Sequence, residues 1–270
     1  MSIFRDEQSP KRLLTIITVC RNDADRLAKT LGSLTNFYGD ERYEHIVVDG
    51  ESTDHTRDIV TPLLSLPNFH FSSGKDGGIY DAMNHGVDYG GSGQYLLFLN
   101  CGDCIQASPE EIAQCLSSLE SSQGEAEIIC FPFCQMGVGS YSRKVSPEAP
   151  RPHKLPTSHQ GMLFSRKFVS AHPYDPKYRI AGDYDLYLRA DFSRIVVLPT
   201  LFSLSRVEID GVASGNPITA YREYLRSAYK NLNGRLRVLV LARIALRAIV
   251  VILLKRTLPP GWIAKLRGSI

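Results

Sequence analysis

Leu13-Leu14-Thr15-Ile16-Ile17-Thr18-Val19 is an unbroken apolar and β-branched run. It lacks the alternation of a half-solvated strand, so it predicts a strand covered on both faces. Beyond it, helix and strand alternate along the chain. Asp23 to Leu34 reads as a helix, with Leu27, Leu31 and Leu34 on one side. Tyr43-Glu44-His45-Ile46-Val47-Val48 is a second strand closing on Asp49-Gly50. Ser52-Thr53-Asp54 supplies capping residues for a helix through Ile59 and Val60. Phe69-His70-Phe71 is a short third strand and Ile79 to Val87 is helical. Gln94 to Leu99 is a fourth buried strand, Pro109 to Leu119 a helix, and Glu127 to Phe133 a further strand. Strands alternating with helices over short links predict a mainly parallel sheet in a three-layer α/β/α domain.

The pattern then loosens. Residues 135–157 carry Pro147, Pro150, Pro152 and Pro156 and read as one long surface loop of the kind that often serves function. Short helices are expected around Phe168 and from Asp183 to Ala190, a strand over Ile195-Val196-Val197-Leu198, and a helix from Tyr221 to Leu232. The domain is drawn as 1–220 and a basic apolar helical tail as 221–270.

Charge separates the same two parts. The 270 residues hold 31 Lys+Arg and 28 Asp+Glu, a net +3, yet no acidic residue follows Glu223. Residues 1–223 therefore carry a net −7 and the tail +10, an asymmetry that points to an anionic surface as partner. Val238 to Leu254 is apolar but short of the ~20 residues of a spanning helix, and Arg243 and Arg247 interrupt it. The expectation is an amphipathic helix in the membrane interface, contacting an anionic membrane surface through 235–267, with Lys255, Arg256, Trp262, Lys265 and Arg267 continuing the contact. The alternative is a helix packed on the domain. Nucleic acid is not expected, since Trp262 is the tail's sole tryptophan for base stacking. The polar N-terminus, Met1 to Glu7, reads as lacking a secretory signal.

Ligands of parallel sheets bind at the carboxyl ends of the strands. Here Thr18-Val19-Cys20-Arg21-Asn22, Asp49-Gly50-Glu51-Ser52 and Asn100-Cys101-Gly102-Asp103 occupy three such ends. Acids and amides converging there can bind a divalent cation. A dinucleotide site is excluded, because Cys20 to Asp25 contains no glycine, and no P-loop occurs. Cys101-Gly102-Asp103-Cys104 has C-x-x-C spacing, with Cys130 and Cys134 as further candidate zinc ligands; the preferred reading is free thiols.

Ile16-Ile17-Thr18-Val19 and Val47-Val48-Asp49-Gly50-Glu51-Ser52-Thr53-Asp54 resemble the nucleotide-binding start of the family 2 inverting glycosyltransferases with the GT-A fold. Lys75-Asp76-Gly77-Gly78-Ile79-Tyr80-Asp81-Ala82-Met83-Asn84-His85-Gly86 is similar to their K-D-x-G-I-Y-D-A-M-N-x-G signature. Leu97 to Asp103 sits where they carry a D-x-D-type metal motif, and Ser158-His159-Gln160 and Ile180 to Leu186 match two later ones. The nearest resemblance is to the bacterial exopolysaccharide branch, of colanic-acid type.

The resemblance implies a Rossmann-like GT-A domain that moves a sugar from a UDP- or GDP-linked donor to a hydroxyl of a lipid-linked oligosaccharide, with inversion and with Mn2+ or Mg2+. Asp103 is the implied metal ligand, while Asn100 replaces the leading Asp and is placed at the ribose or a metal-bound water. Asp49 is implied in base or ribose contacts, Thr18, Cys20 and Arg21 lie around the base, and Lys75 near the phosphates. Asp183 is the implied general base, Asp185 a structural residue, and His159 and Gln160 contacts to phosphate or acceptor. The implied location is cytoplasmic, peripheral on the inner face of the cell membrane. The competing function is a catalytically silent nucleotide-sugar-binding or scaffold component of a polysaccharide assembly complex.

Overall fold

The computed structural model describes residues 12–122, 125–137, 142–208 and 216–257. The N-terminal reading over Met1–Glu7, and Trp262, Lys265 and Arg267 of the tail, lie outside the described residues.

The predicted first strand is β1 (Leu14–Cys20), buried along its whole length as an interior strand of a seven-stranded sheet. It pairs in parallel with β2 (Tyr43–Asp49) and β4 (Tyr95–Phe98), and β2 pairs in parallel with β3 (Phe69–Ser73). Alternate residues of β1 enter opposite halves of the core. Leu14 and Ile16 pack with α4 (Pro109–Ser122), and Cys20 packs with α1 (Ala24–Ser33) and α2 (Thr56–Val60). Ile17 and Val19 pack with α3 (Ile79–Asp88), α5 (Arg166–Ala171) and α6 (Gly182–Leu188). Helices thus cover both faces, which explains the continuous apolar run.

The sheet order is β10-β6-β9-β4-β1-β2-β3, with β6 (Ile128–Cys130), β9 (Met162–Ser165) and β10 (Ile195–Val197). β9 is antiparallel to both β4 and β6, so the sheet is parallel-rich rather than wholly parallel. The strand expected over 127–133 is divided. Pro132 has no N–H for a ladder, and the chain leaves the main sheet there to form β7 (Phe133–Met136). β7 joins β5 (Cys104–Ile105), β8 (Ser142–Val145) and β11 (Ser205–Glu208) in a second sheet of order β5-β11-β7-β8. Residues 135–157 are therefore not one loop: their first part is strand, and the remainder runs back toward β9.

After β11 the chain forms α7 (Pro217–Asn231), capped by Asn216, and α8 (Gly234–Thr257). The division drawn at 220/221 falls within α7. Ala228 of α7, and Val240 and Ile244 of α8, belong to the same apolar cluster as α3 and α6. One side of α8 packs on the domain, while Val238, Leu239, Leu246, Ile249 and Val250 remain exposed. Among the described residues no helix is long and apolar enough to cross a membrane.

Candidate active site

The parallel register aligns Cys20, Asp49 and Ser73 at the carboxyl edge of β1, β2 and β3. Two residues just beyond these ends, Asn22 (φ 51°) and Glu51 (φ 55°), adopt the left-handed conformation, which asparagine tolerates and which strains Glu51. Asn22 is fixed from both sides: its N–H donates to Ser52 Oγ (2.7 Å) and its Oδ1 accepts from Thr53 N (2.8 Å). The turns leaving β1 and β2 are in this way tied together at the ligand edge.

Asp103 is delivered by the turn after β4. Gly102 sits at φ +94°, a backbone conformation that favours glycine, and a Cβ there would fall 2.4 Å from Arg26 Nε and displace that guanidinium. Thr30 of α1 anchors this turn by accepting from Gly102 N (2.9 Å) and donating to the Asp103 carbonyl (2.8 Å). The Asp103 carboxylate is buried, accepting from Gln160 Nε2 (2.7 Å) and Glu208 N (3.3 Å). Burial holds its pKa above the ordinary carboxylate value, opposed by the Gln160 hydrogen bond. No group of three or more His, Cys, Asp or Glu able to hold a metal occurs among the described residues. A single buried carboxylate still suits Mg2+ or Mn2+, ions often bound through one or two carboxylates with substrate phosphates completing the shell.

Asp183 opens the opposite wall. Gly182 admits the Tyr80 ring so closely that a Cβ would lie 2.7 Å from it, and Tyr80 Oη donates to the Ile180 carbonyl (2.7 Å). Asp183 Oδ1 accepts from Tyr184 N (2.8 Å), and Oδ2 lies 3.4 Å from His159 Nδ1. Asn100 Nδ2 donates to His159 Nε2 (3.0 Å), which leaves the imidazole proton on Nδ1, facing Asp183. Consecutive residues of the 3-10 turn before β9 therefore reach in two directions: His159 to Asp183 and Asn100, Gln160 to Asp103. Asn100 Oδ1 is buried without a partner. Asp185, two residues beyond Asp183, faces away and is fully buried against Ser227 Oγ (3.1 Å), Asn231 Nδ2 (2.9 Å) and Arg189 Nε (3.3 Å).

These residues line one cavity of about 1180 Å3. That exceeds the roughly 300–1,000 Å3 of a pocket for one small molecule and leaves room for two substrates. Cys20, Arg21, Asn100, Asp103, His159, Gln160 and Asp183 all border it. Thr18, Asp49 and Lys75 do not. Thr18 is fully buried, its hydroxyl paired with His45 Nε2 (3.0 Å), whose pKa burial pushes down to about 3. Asp49 spends its carboxylate on Ser73 Oγ (2.7 Å) and Ser52 N (3.1 Å), so it shapes the turn. Lys75 is exposed beside the cavity-lining Asp76. The C-x-x-C pair diverges: Cys101 Sγ donates to Cys20 Sγ (3.7 Å), lowering the Cys20 pKa, while Cys104 Sγ donates to the Lys29 carbonyl (3.8 Å).

Sequence reasoning missed Arg26, Asp76, Tyr224 and Arg247 on the cavity wall. Asp76 lies inside the K-D-x-G signature and was within reach; Arg247 reads from sequence as part of a tail surface.

A GT-A architecture is what the parallel-rich sheet and its carboxyl-edge cleft define, and solved structures share it. S. aureus TarS 1-349 in complex with UDP superposes with a TM-score of 0.65 at 17% identity, over 86% of this chain and 70% of that one. The mannosyltransferase PcManGT from Pyrobaculum calidifontis, in complex with GDP-Man and Mn2+, gives 0.57 at 13% identity, over 95% and 79%. Residues 15–175 match the family described as Glycosyl transferase family 2, and the chain belongs to that family of glycosyltransferases. A Mycobacterium tuberculosis protein described as an uncharacterized glycosyltransferase is 33% identical over 183 residues, 66% of this chain and 68% of its own. A PGL/p-HBAD biosynthesis glycosyltransferase of Mycobacterium bovis is 30% identical over 157 residues, 54% of this chain and 57% of its own.

Proposed function

We propose that this glycosyltransferase is an inverting, divalent-metal-dependent enzyme that moves a sugar from a UDP- or GDP-sugar to a hydroxyl of a lipid-linked oligosaccharide, in bacterial exopolysaccharide biosynthesis. The observation that carries the reading is the pairing at 159–160, which ties one carboxylate, Asp103, to another, Asp183, across a single cavity. Two carboxylates in separate environments suit two tasks. Fold neighbours crystallised with UDP and with GDP-Man and Mn2+ support the donor class, and the exopolysaccharide setting rests on the sequence resemblance.

Asp103 would hold Mn2+ or Mg2+ together with the donor diphosphate, and the ion would offset the charge that develops on that leaving group. The chain's own residues do the rest. Gln160 and the Glu208 amide keep the Asp103 carboxylate aimed at one place. Asp183 takes the proton from the acceptor hydroxyl as its oxygen bonds to the anomeric carbon and the bond to the diphosphate breaks. His159 Nδ1, 3.4 Å from Asp183 Oδ2, orients that carboxylate for the transfer. Peripheral seating on the inner face of the cell membrane belongs to the same proposal, supported by the exposed apolar side chains of α8 and the acid-free sequence after Glu223.

The test is a panel of UDP- and GDP-sugars, with and without Mn2+, read by thermal unfolding and by donor turnover. One donor should raise the melting temperature in a Mn2+-dependent way and be consumed. Failure of every donor to bind would overturn the reading.

A further inference from the structure

The cavity has a second end that the donor chemistry leaves unused. Beyond Asp183 its wall is built from Tyr221, Tyr224, His153, Lys154 and, from α8, Arg247 and Val251. Half-buried Tyr224 lies within electrostatic range of both Asp183 and Arg247, so this end is continuous with the proposed base. Four cations gather at the mouth. His153 has its imidazolium disfavoured by burial and then by Arg243, Arg151, Lys154 and Arg247 together. Lys154 pairs with Glu148 (2.6 Å). Arg243 and Arg247 have no carboxylate within 4.0 Å among the described residues, and Arg243 meets His153 Nδ1 at 3.4 Å. Glu148 also lies within electrostatic range of Arg151 and Arg247 and offsets part of this charge; the excess of like charge repels, and a bound anion relieves that repulsion.

The phase of α8 adds a second feature. Val238, Leu239, Leu246, Ile249 and Val250 share one arc of the helix and stay exposed, Leu239 by 62% and Leu246 by 64%. Val240, Ile244 and Ala248 occupy the packed arc. At 3.6 residues per turn, Arg243 and Arg247 fall between the two arcs, on the side where Arg247 and Val251 meet the cavity. From outside inward, the surface therefore runs from apolar strip to guanidinium pair to cavity to Asp183.

We infer that Arg243 and Arg247, with Lys154 opposite, form the subsite for the phosphate of the acceptor, a lipid phosphate or diphosphate whose hydrocarbon lies along the exposed strip of α8 and whose sugar hydroxyl points toward Asp183. The order of chemistries matches such a molecule from tail to sugar, and guanidinium groups suit phosphate through paired N–H donors. This inference rests on the glycosyltransferase reading for the acceptor's role but not for the binding of the lipid phosphate.

The experiment uses the full chain and farnesyl phosphate as probe, with UDP and GDP as donor-site reporters and vesicles of phosphatidylcholine with or without phosphatidylglycerol. Arg243→Gln/Arg247→Gln is compared with wild type and with Arg222→Gln, which removes one exposed charge from α7. The wild type and Arg222→Gln should bind the probe alike, and the double variant at least 10-fold more weakly, with nucleotide affinity and melting temperature retained. Equal probe affinity in all three proteins overturns the inference. So does a double variant that keeps the probe and loses only phosphatidylglycerol vesicles, since the arginines would then serve the bilayer. Parallel loss of nucleotide and probe also overturns it, by placing the arginines at the donor. If no nucleotide binds the wild type while the probe does so in an Arg243- and Arg247-dependent way, the donor reading fails and the subsite stands.

Discussion

Asp183→Asn separates the proposed proton transfer from everything else the side chain does. The replacement is isosteric. Its Oδ1 still accepts from Tyr184 N, now 2.8 Å away. Its amide nitrogen would face the His159 Nδ1 proton across 3.4 Å, so the imidazole must move its proton to Nε2 and the Asn100 amide must turn to accept it. Asn100 Oδ1 is buried and unpartnered, and that turn gives it a donor. The rearrangement exchanges one hydrogen-bond arrangement for another, so folding stability should change by no more than about 1 kcal/mol. The cavity loses its base. Positioned general bases contribute ~100- to 10,000-fold, equivalent to about 3–5 kcal/mol of barrier. The assay is kcat for transfer from the donor selected by the panel, alongside donor Kd and Tm. A fall of at least about 100-fold with donor Kd unchanged is expected. A kcat within about 10-fold of wild type, in a variant that binds donor normally, would refute the assignment.

His159→Ala removes the ring whose Nδ1 lies 3.4 Å from Asp183 Oδ2, so the carboxylate loses its positioning and kcat should fall roughly 10- to 100-fold with unchanged donor Kd. Asp103→Asn should abolish Mn2+-dependent stabilisation by donor. Because burial raises the Asp103 pKa above its unfolded value, the ionised group weakens folding above the unfolded pKa and that penalty disappears as pH falls through the folded one. The variant should therefore be no less stable than wild type at pH 7, measured by urea titration, and wild-type Mn2+ binding should weaken on acidification sooner than an exposed aspartate would. Gly182→Ala forces a methyl against the Tyr80 ring and should cost about 1–3 kcal/mol of stability and lower kcat by displacing Asp183. Asp185→Ala strips Arg189 of its buried carboxylate and should cost about 3 kcal/mol by urea unfolding, with stability rather than donor affinity as the main loss.

The central parallel strands were legible because each is a short apolar run buried on both sides, a pattern set by local composition. The second sheet was not, because β11 draws its partners β5 and β7 from distant segments and the strands carry little pattern of their own. β5 is two residues long, and β8 is the exposed polar run Ser142-Arg143-Lys144-Val145. β9 hides behind a 3-10 turn and pairs against the sheet's prevailing direction. The site shows the same division. Residue types at a strand end pointed to Asp103 and the family resemblance to Asp183, but the link between His159 and Asp183 exists only because β9 inserts between β4 and β6. Asp49 and Thr18 had suitable chemistry, and their placement depended on neighbours, Ser73 and His45, that spacing does not reveal. Arg247 belongs to a helix whose phase against the domain decides whether it meets lipid or cavity.

The reversed direction of β9 has an evolutionary consequence. A parallel strand presents its exit at the ligand edge, whereas β9 presents its entrance, so the segment from β8 to His159 reaches the cleft before the chain enters the sheet. Insertions or exchanges in that segment can alter the wall around Lys154 while β1, β2 and the turn bearing Asp103 keep their places. Acceptor preference can diversify there without a matching change in the donor half, and relatives that share a donor can come to serve different acceptors.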